Sequence, residues 1–212
     1  MLSLTTLLLF SLAVLALFVS PGPNMAFVLS HGMAYGTRGG FAAAMGIAIA
    51  DVVLTVLTAT GVTAMVVAWP PAFDLLRYAG AAYLLWLAIK VVCTPATTLL
   101  HKETQVASGK IFFNALLNCL LNPKALLFFM VFLPQFVDIA RGAIALQLLM
   151  LGLVLSSLGL VFNTLLGIFS ARIGQWVYSN PRAIRLQAWL LASVLAALAL
   201  RLLLTESPRK IV

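Results

Sequence analysis

The chain has 212 residues, of which 63% are hydrophobic and only 8% charged, and its mean hydropathy is +1.12. A soluble domain carries charge on about a quarter of its residues, so this composition excludes one and points to an integral membrane protein. The formal charge of +8 comes from Lys and Arg scattered one or two at a time near segment ends, which is the pattern of topology signals and lipid-headgroup contacts rather than of a nucleic-acid surface.

Six apolar segments of roughly 20 residues fill the length and leave no room for a separate soluble domain. The expected fold is all-α, a single transmembrane domain over residues 1–212. The first segment, residues 2–30, has no Lys or Arg ahead of its apolar core, so it reads as a retained helix and not as a signal peptide. It is interrupted at Ser20-Pro21-Gly22-Pro23-Asn24. Two prolines around a glycine remove backbone donors and loosen the chain. At membrane depth the freed groups must find partners in protein or in a wet cavity.

A connection at 31–39, with Arg38, leads to segment two, residues 40–69, whose single charge is Asp51 and which Pro70-Pro71 closes. Segment three covers 73–92, with Asp74, Arg77 and Lys90 near enough to its ends to snorkel. A polar loop follows at 94–110. Segment four, 111–137, is broken again at Asn122-Pro123-Lys124. A short connection at 138–142, segment five at 143–170, a connection at 171–182, segment six at 183–204 and a basic tail complete the chain. Odd-numbered connections carry most of the positive charge, which places them in the cytoplasm and both termini outside, although Arg201, Arg209 and Lys210 in the tail pull the other way.

The segments fall into two sets of three, about 1–93 and 111–205, each opening with a proline-broken helix. Three is odd, so the second set enters the membrane upside down. Inverted repeats with paired broken helices are the architecture of many secondary transporters, with the substrate at the midplane where the breaks meet. The two halves correspond in the position of the breaks and in a glycine opening each second helix, Gly40 and Gly142.

Asp51 is the first candidate for chemistry. A carboxylate at membrane depth costs about 2.5–3.5 kcal/mol on insertion scales, so it reads as a ligand for a cationic group or a proton carrier; the alternative is a permanent partner for a basic residue. Lys124 could neutralise Asp51 or hold a substrate carboxylate together with the N–H groups of the restarting helix. Asn114, Asn118 and Asn122, spaced by four, suggest one polar cavity wall. At the first break the N–H groups of Asn24, Met25 and Ala26 lack intrahelical partners, and Asn24 adds an amide; a bare kink is the alternative.

Ala42, Gly46 and Ala50 form a small-residue stripe that reads as close helix approach. Gln135 reads as an interface or gate residue, His31 as a satisfied histidine at a helix end, and Trp69, Trp86, Trp176 and Trp189 as interface anchors. Cys93 and Cys119 have no CxxC spacing, so neither a disulfide framework nor a zinc site is indicated. They supply the rival reading, a membrane thiol–disulfide carrier, which Cys93 weakens by lying out of symmetry with Cys119. There is no HExxH, GxSxG or Walker A pattern, so neither an enzyme, an ATP-driven pump, a cofactor nor a metal is expected.

With these residues in hand, the chain resembles the LysE/RhtB family of bacterial amino-acid exporters. Pro21-Gly22-Pro23-Asn24 is similar to that family's first-helix motif, and Gly46-Ile47-Ala48-Ile49-Ala50-Asp51 to its glycine-rich second helix ending in Asp. Gly80-Ala81-Ala82-Tyr83-Leu84-Leu85-Trp86 is similar to its third helix, and Leu121-Asn122-Pro123-Lys124-Ala125 with Phe132-Leu133-Pro134-Gln135-Phe136 to its fourth. One departure is Ala50, where the family often has Gly. The resemblance implies proton-driven export of amino acids or their derivatives across the bacterial inner membrane, with a small-molecule substrate, protons and lipid as partners and self-association left open. It does not identify the cargo. The expected substrate site comprises Gly22, Pro23, Asn24, Asp51, Asn118, Asn122, Pro123 and Lys124, served by alternating access, with Asp51 also carrying the proton.

Overall fold

The computed structural model describes residues 2–19, 22–69 and 106–170 continuously, and scattered positions between 75 and 93 and between 172 and 203. Most of segments three and six and of the polar loop therefore lies outside the described residues. Within them all regular structure is helical.

Helix α1, Leu4–Phe18, starts on Ser3, whose hydroxyl accepts the Thr6 N–H at 3.1 Å. It ends at Val19, just before the expected break. The chain restarts as α2, Pro23–Ala68, with proline in the first position, where its missing N–H leaves nothing unpaired. The carbonyl of Gly22 accepts the first bond, from Ala26 N–H at 2.9 Å. The expectation that Ala26 offers a free N–H is therefore corrected: only the residues before it lie ahead of the helical ladder.

Helix α2 turns a corner at Gly36, with φ 66° and ψ −160°, a region reserved almost entirely for glycine. Nothing lies within 4 Å of a side chain built there, so the backbone alone requires the glycine. Beyond the corner the two arms touch: a Cβ on Gly39 would meet the His31 carbonyl oxygen at 2.6 Å. The connection expected at 31–39 is thus helix up to a one-residue corner, and the second arm begins before Gly40. Gly142 adopts nearly the same conformation, φ 65° and ψ −162°.

Helix α3, Ser108–Leu120, is followed by a break at Leu121 and Asn122 and then by α4, Pro123–Leu127. From there the chain runs through a wide π turn, Phe128–Phe132, and a tight 3-10 turn, Leu133–Phe136. The pieces on either side of the break are bent by 61°. A short turn, Ile139–Arg141, leads through Gly142 to α5, Ile144–Ile168. Gln147, buried in the first turn of α5, ties this corner down: it accepts from Asp138 N–H at 2.9 Å and donates to the carbonyls of Asp138 at 2.8 Å and Gly142 at 2.7 Å.

Helix α2 is the centre of the described structure, with α5 along one side and α3 along another. Glycines set both approaches. A Cβ on Gly40 would stand 2.6 Å from Gly167 Cα, and one on Gly46 would strike the Phe112 carbonyl oxygen. The small-residue stripe accordingly packs against α3, with Ala50 fully buried. Helix α1 joins through Phe10 and Val14, which pack with Phe132, Phe136 and the α5 leucines Leu148 and Leu151.

Pro23–Ala64 and Ile144–Ile168 are long and apolar enough to cross a membrane, and the bent α3–α4 pair makes a third if it counts as one span. Leu57 of α2 and Leu153 and Val161 of α5, like Leu8 and Leu12 of the shorter apolar α1, are exposed, as side chains facing lipid would be.

Candidate functional site

The two helix breaks meet. Asn24, one residue into α2, is the hub. Its Oδ1 accepts from Asn118 Nδ2 at 3.1 Å and Asn122 Nδ2 at 3.2 Å, and its Nδ2 donates to Cys119 Sγ at 3.2 Å. The Cys119 thiol in turn donates to Asp51 Oδ1 at 3.6 Å. One hydrogen-bonded chain thus connects α3 and both arms of α2. Asn24 and Asp51 lie on opposite sides of Gly36, so their meeting through one thiol follows from the corner there.

Asn118 and Asn122 share this duty because four residues separate them, slightly more than one helical turn. The drift of about 40° at each such step carries Asn114 round to the exposed surface. The expected polar wall of three asparagines is therefore corrected to two.

Asn122 has a second task. Its Oδ1 accepts the Lys124 N–H at 3.0 Å, capping α4, with Pro123 in the first helical position. That N–H, expected to be open to a substrate carboxylate, is already taken. The Lys124 side chain instead crosses to the first break, where Nζ stands 3.3 Å from the point at which a Gly22 side chain would begin. Gly22 thereby makes room for an ammonium group.

Asp51 is 5% exposed. Its Oδ2 lies over Gly159 of α5, 3.4 Å from where a Cβ would be. A cavity of about 80 Å³ opens between these elements, room for roughly five waters. Asn24, Asp51, Asn122, Lys124 and Asn163 make it polar on part of its lining; Phe18, Met25, Ile47, Phe128, Phe129 and Leu155 make it apolar on the rest. Gly22 and Pro23 also line it, whereas Asn118 reaches it only through Asn24.

Gln135 stays outside, donating to the Val131 carbonyl of the preceding π turn at 2.8 Å. His31 stacks on Phe27 with ring centroids 4.0 Å apart, and its Nδ1 meets the Phe27 carbonyl oxygen at 2.9 Å. Cys93 is exposed and distinct in setting from buried Cys119. Trp69, Trp86 and Trp189 are exposed; Trp176 lies outside the described residues. Asn163 was not among the expected site residues, although a lone amide in the apolar run of segment five is itself a signal.

Asn24→Ala removes the acceptor shared by two amides and the donor to the thiol. The expected loss is about 1–3 kcal/mol of stability, read as a lowered thermal midpoint of the detergent-solubilised protein, with Asn24→Asp recovering part of it by restoring the acceptor.

The family described as LysE type translocator matches this chain over residues 15–206. Among curated proteins, the leucine efflux protein of Salmonella choleraesuis (strain SC-B67) is 31% identical over 189 residues, covering 88% of this chain and 89% of its own. The leucine efflux protein of Enterobacter sp. (strain 638) is 32% identical over 187 residues, covering 86% and 87%. No solved structure matches. A family match that takes in both helix breaks and every residue lining the cavity leaves one conclusion: the chain belongs to the LysE type translocator family.

Proposed function

We propose that this protein exports a neutral amino acid with an apolar side chain, leucine being the reference case, across the bacterial inner membrane at the expense of the proton gradient. The observation that carries this reading is the cavity where the two breaks converge, polar on one part of its lining and apolar on the other. Relatives named leucine efflux proteins support it.

In this reading the substrate carboxylate lies by Lys124 and the N–H groups of Asn24 and Met25, at the positive end of a helix. The ammonium lies by Asp51, and the side chain rests on Phe18, Phe128, Phe129 and Leu155. Protonation of Asp51 from outside releases the ammonium, and passage of that proton inward couples export to the gradient. Alternating access proceeds by motion of one inverted half against the other in a single six-helix domain. The shared backbone conformation of Gly36 and Gly142 supports this pairing of halves.

The thiol-carrier reading is served less well. Cys119 is engaged between Asn24 and Asp51, while Cys93 is exposed. Cells loaded with radiolabelled leucine, isoleucine, glycine or lysine give the test. Faster efflux of the branched-chain pair than of the other two is expected, and efflux confined to lysine would sink the proposal. Export surviving a Cys93→Ser, Cys119→Ser double substitution removes the thiol carrier.

A further inference from the structure

We infer that Asn163 of α5 binds the substrate directly, its side-chain carbonyl oxygen accepting a hydrogen bond from the same α-ammonium that Asp51 holds. The inference deepens the proposed function and rests on it. Asn163 is 6% exposed, lines the cavity and makes no hydrogen bond to any described residue. Its amide opens onto the cavity, so whatever fills that space, water or a ligand, must meet it, because native structures seldom leave a polar group of a buried residue unmet. The ordinary role of a membrane asparagine is a bond between helices, and among the described residues Asn163 makes none.

Its position selects the ammonium over the carboxylate. Asn163 stands one turn along α5 from Gly159, the residue over which Asp51 Oδ2 lies. Asp51 Oδ1 is occupied by the Cys119 thiol, so of the carboxylate's own oxygens Oδ2 is the one turned to an ammonium, and the Asn163 amide, which lines the same cavity, offers a second acceptor. The groups suited to a carboxylate gather elsewhere, at Gly22 beneath Lys124 Nζ. Ser156 provides a contrast on the same helix. Its hydroxyl also has no partner among the described residues, but it is sealed from the cavity and offers nothing to a substrate.

Wild type, Asn163→Ala and Asn163→Leu, reconstituted into liposomes, separate a binding role from a structural one. Both variants should raise the KM for leucine about 10-fold or more, as loss of a hydrogen bond to a charged group does. Their ligand-free thermal midpoints should hold or rise, because the change removes an unpartnered polar group. Inhibition by 4-methylpentanoate, which keeps leucine's carboxylate and side chain but lacks the ammonium, should be unchanged. A KM within about two-fold of wild type, an equal weakening of 4-methylpentanoate, or a fall in both ligand-free midpoints would each overturn the assignment while leaving the transport reading intact. A wild-type protein that moves no amino acid overturns both.

Discussion

Asp51→Asn should abolish uphill leucine transport in proteoliposomes under an imposed pH gradient. The substitution keeps the shape of the side chain and an oxygen that can accept from the Cys119 thiol, now 3.6 Å away. What it removes is the negative charge and the ability to gain and lose a proton. Under the proposed mechanism, loss of a charge-assisted contact to the ammonium alone is worth about 1.5–3 kcal/mol, roughly 10- to 150-fold in flux at low substrate, and coupling to the gradient would go with it. Because a buried charge is itself unfavourable in a membrane, the variant should melt at the same temperature as wild type or higher. Undiminished uphill transport would take Asp51 out of the mechanism.

Gly40→Ala should be strongly destabilising for so small a change. The new methyl would meet Gly167 Cα at 2.6 Å, and Gly167→Ala would meet Gly40 Cα at 2.8 Å. Both obstacles are backbone, so no side chain can rotate out of the way, and the crossing of α2 with α5 must open. Overpacking of this kind costs about 1–3 kcal/mol and sometimes more. Gly61→Ala is the matched control in the same helix. Nothing lies within 4 Å of that position, and alanine should gain about 0.5–1 kcal/mol. Thermal unfolding of the three variants in detergent should rank Gly61→Ala above wild type and the other two well below it. A Gly40→Ala midpoint at the wild-type value would show that the helices do not cross at this contact.

Different parts of the site were legible for different reasons. The breaks could be read because proline and glycine act on the backbone wherever they stand, and Asp51 because a charge inside an apolar run has few ordinary explanations. A close helix approach on α2 could be read from small residues every fourth position, but not that α3 is the helix that approaches. The corner could not: Gly32, Gly36, Gly39 and Gly40 crowd together, and no local rule selects Gly36 for the positive φ. Asn114 looks equivalent to Asn118 until helical drift is combined with the place where α2 packs. The bonds of Cys119 to Asn24 and Asp51 depend on residues brought together only by that corner, and Asn163 is distinguished by what it fails to touch.

The stretch after the second break adds a consequence for periodicity itself. Its five-residue underwound turn is followed at once by an overwound one, and the two errors in phase have opposite sign. Phe128, Phe132 and Phe136 therefore remain a single aromatic ladder, with successive centroids 4.2 Å and 5.0 Å apart, and its last rung meets Phe10 edge-on at 5.1 Å. Phe10 of α1 meets two consecutive rungs, with its ring centroid 6.0 Å from that of Phe132 as well. Two irregularities that compensate each other leave no trace in the spacing of side chains, however far the main chain beneath them has strayed.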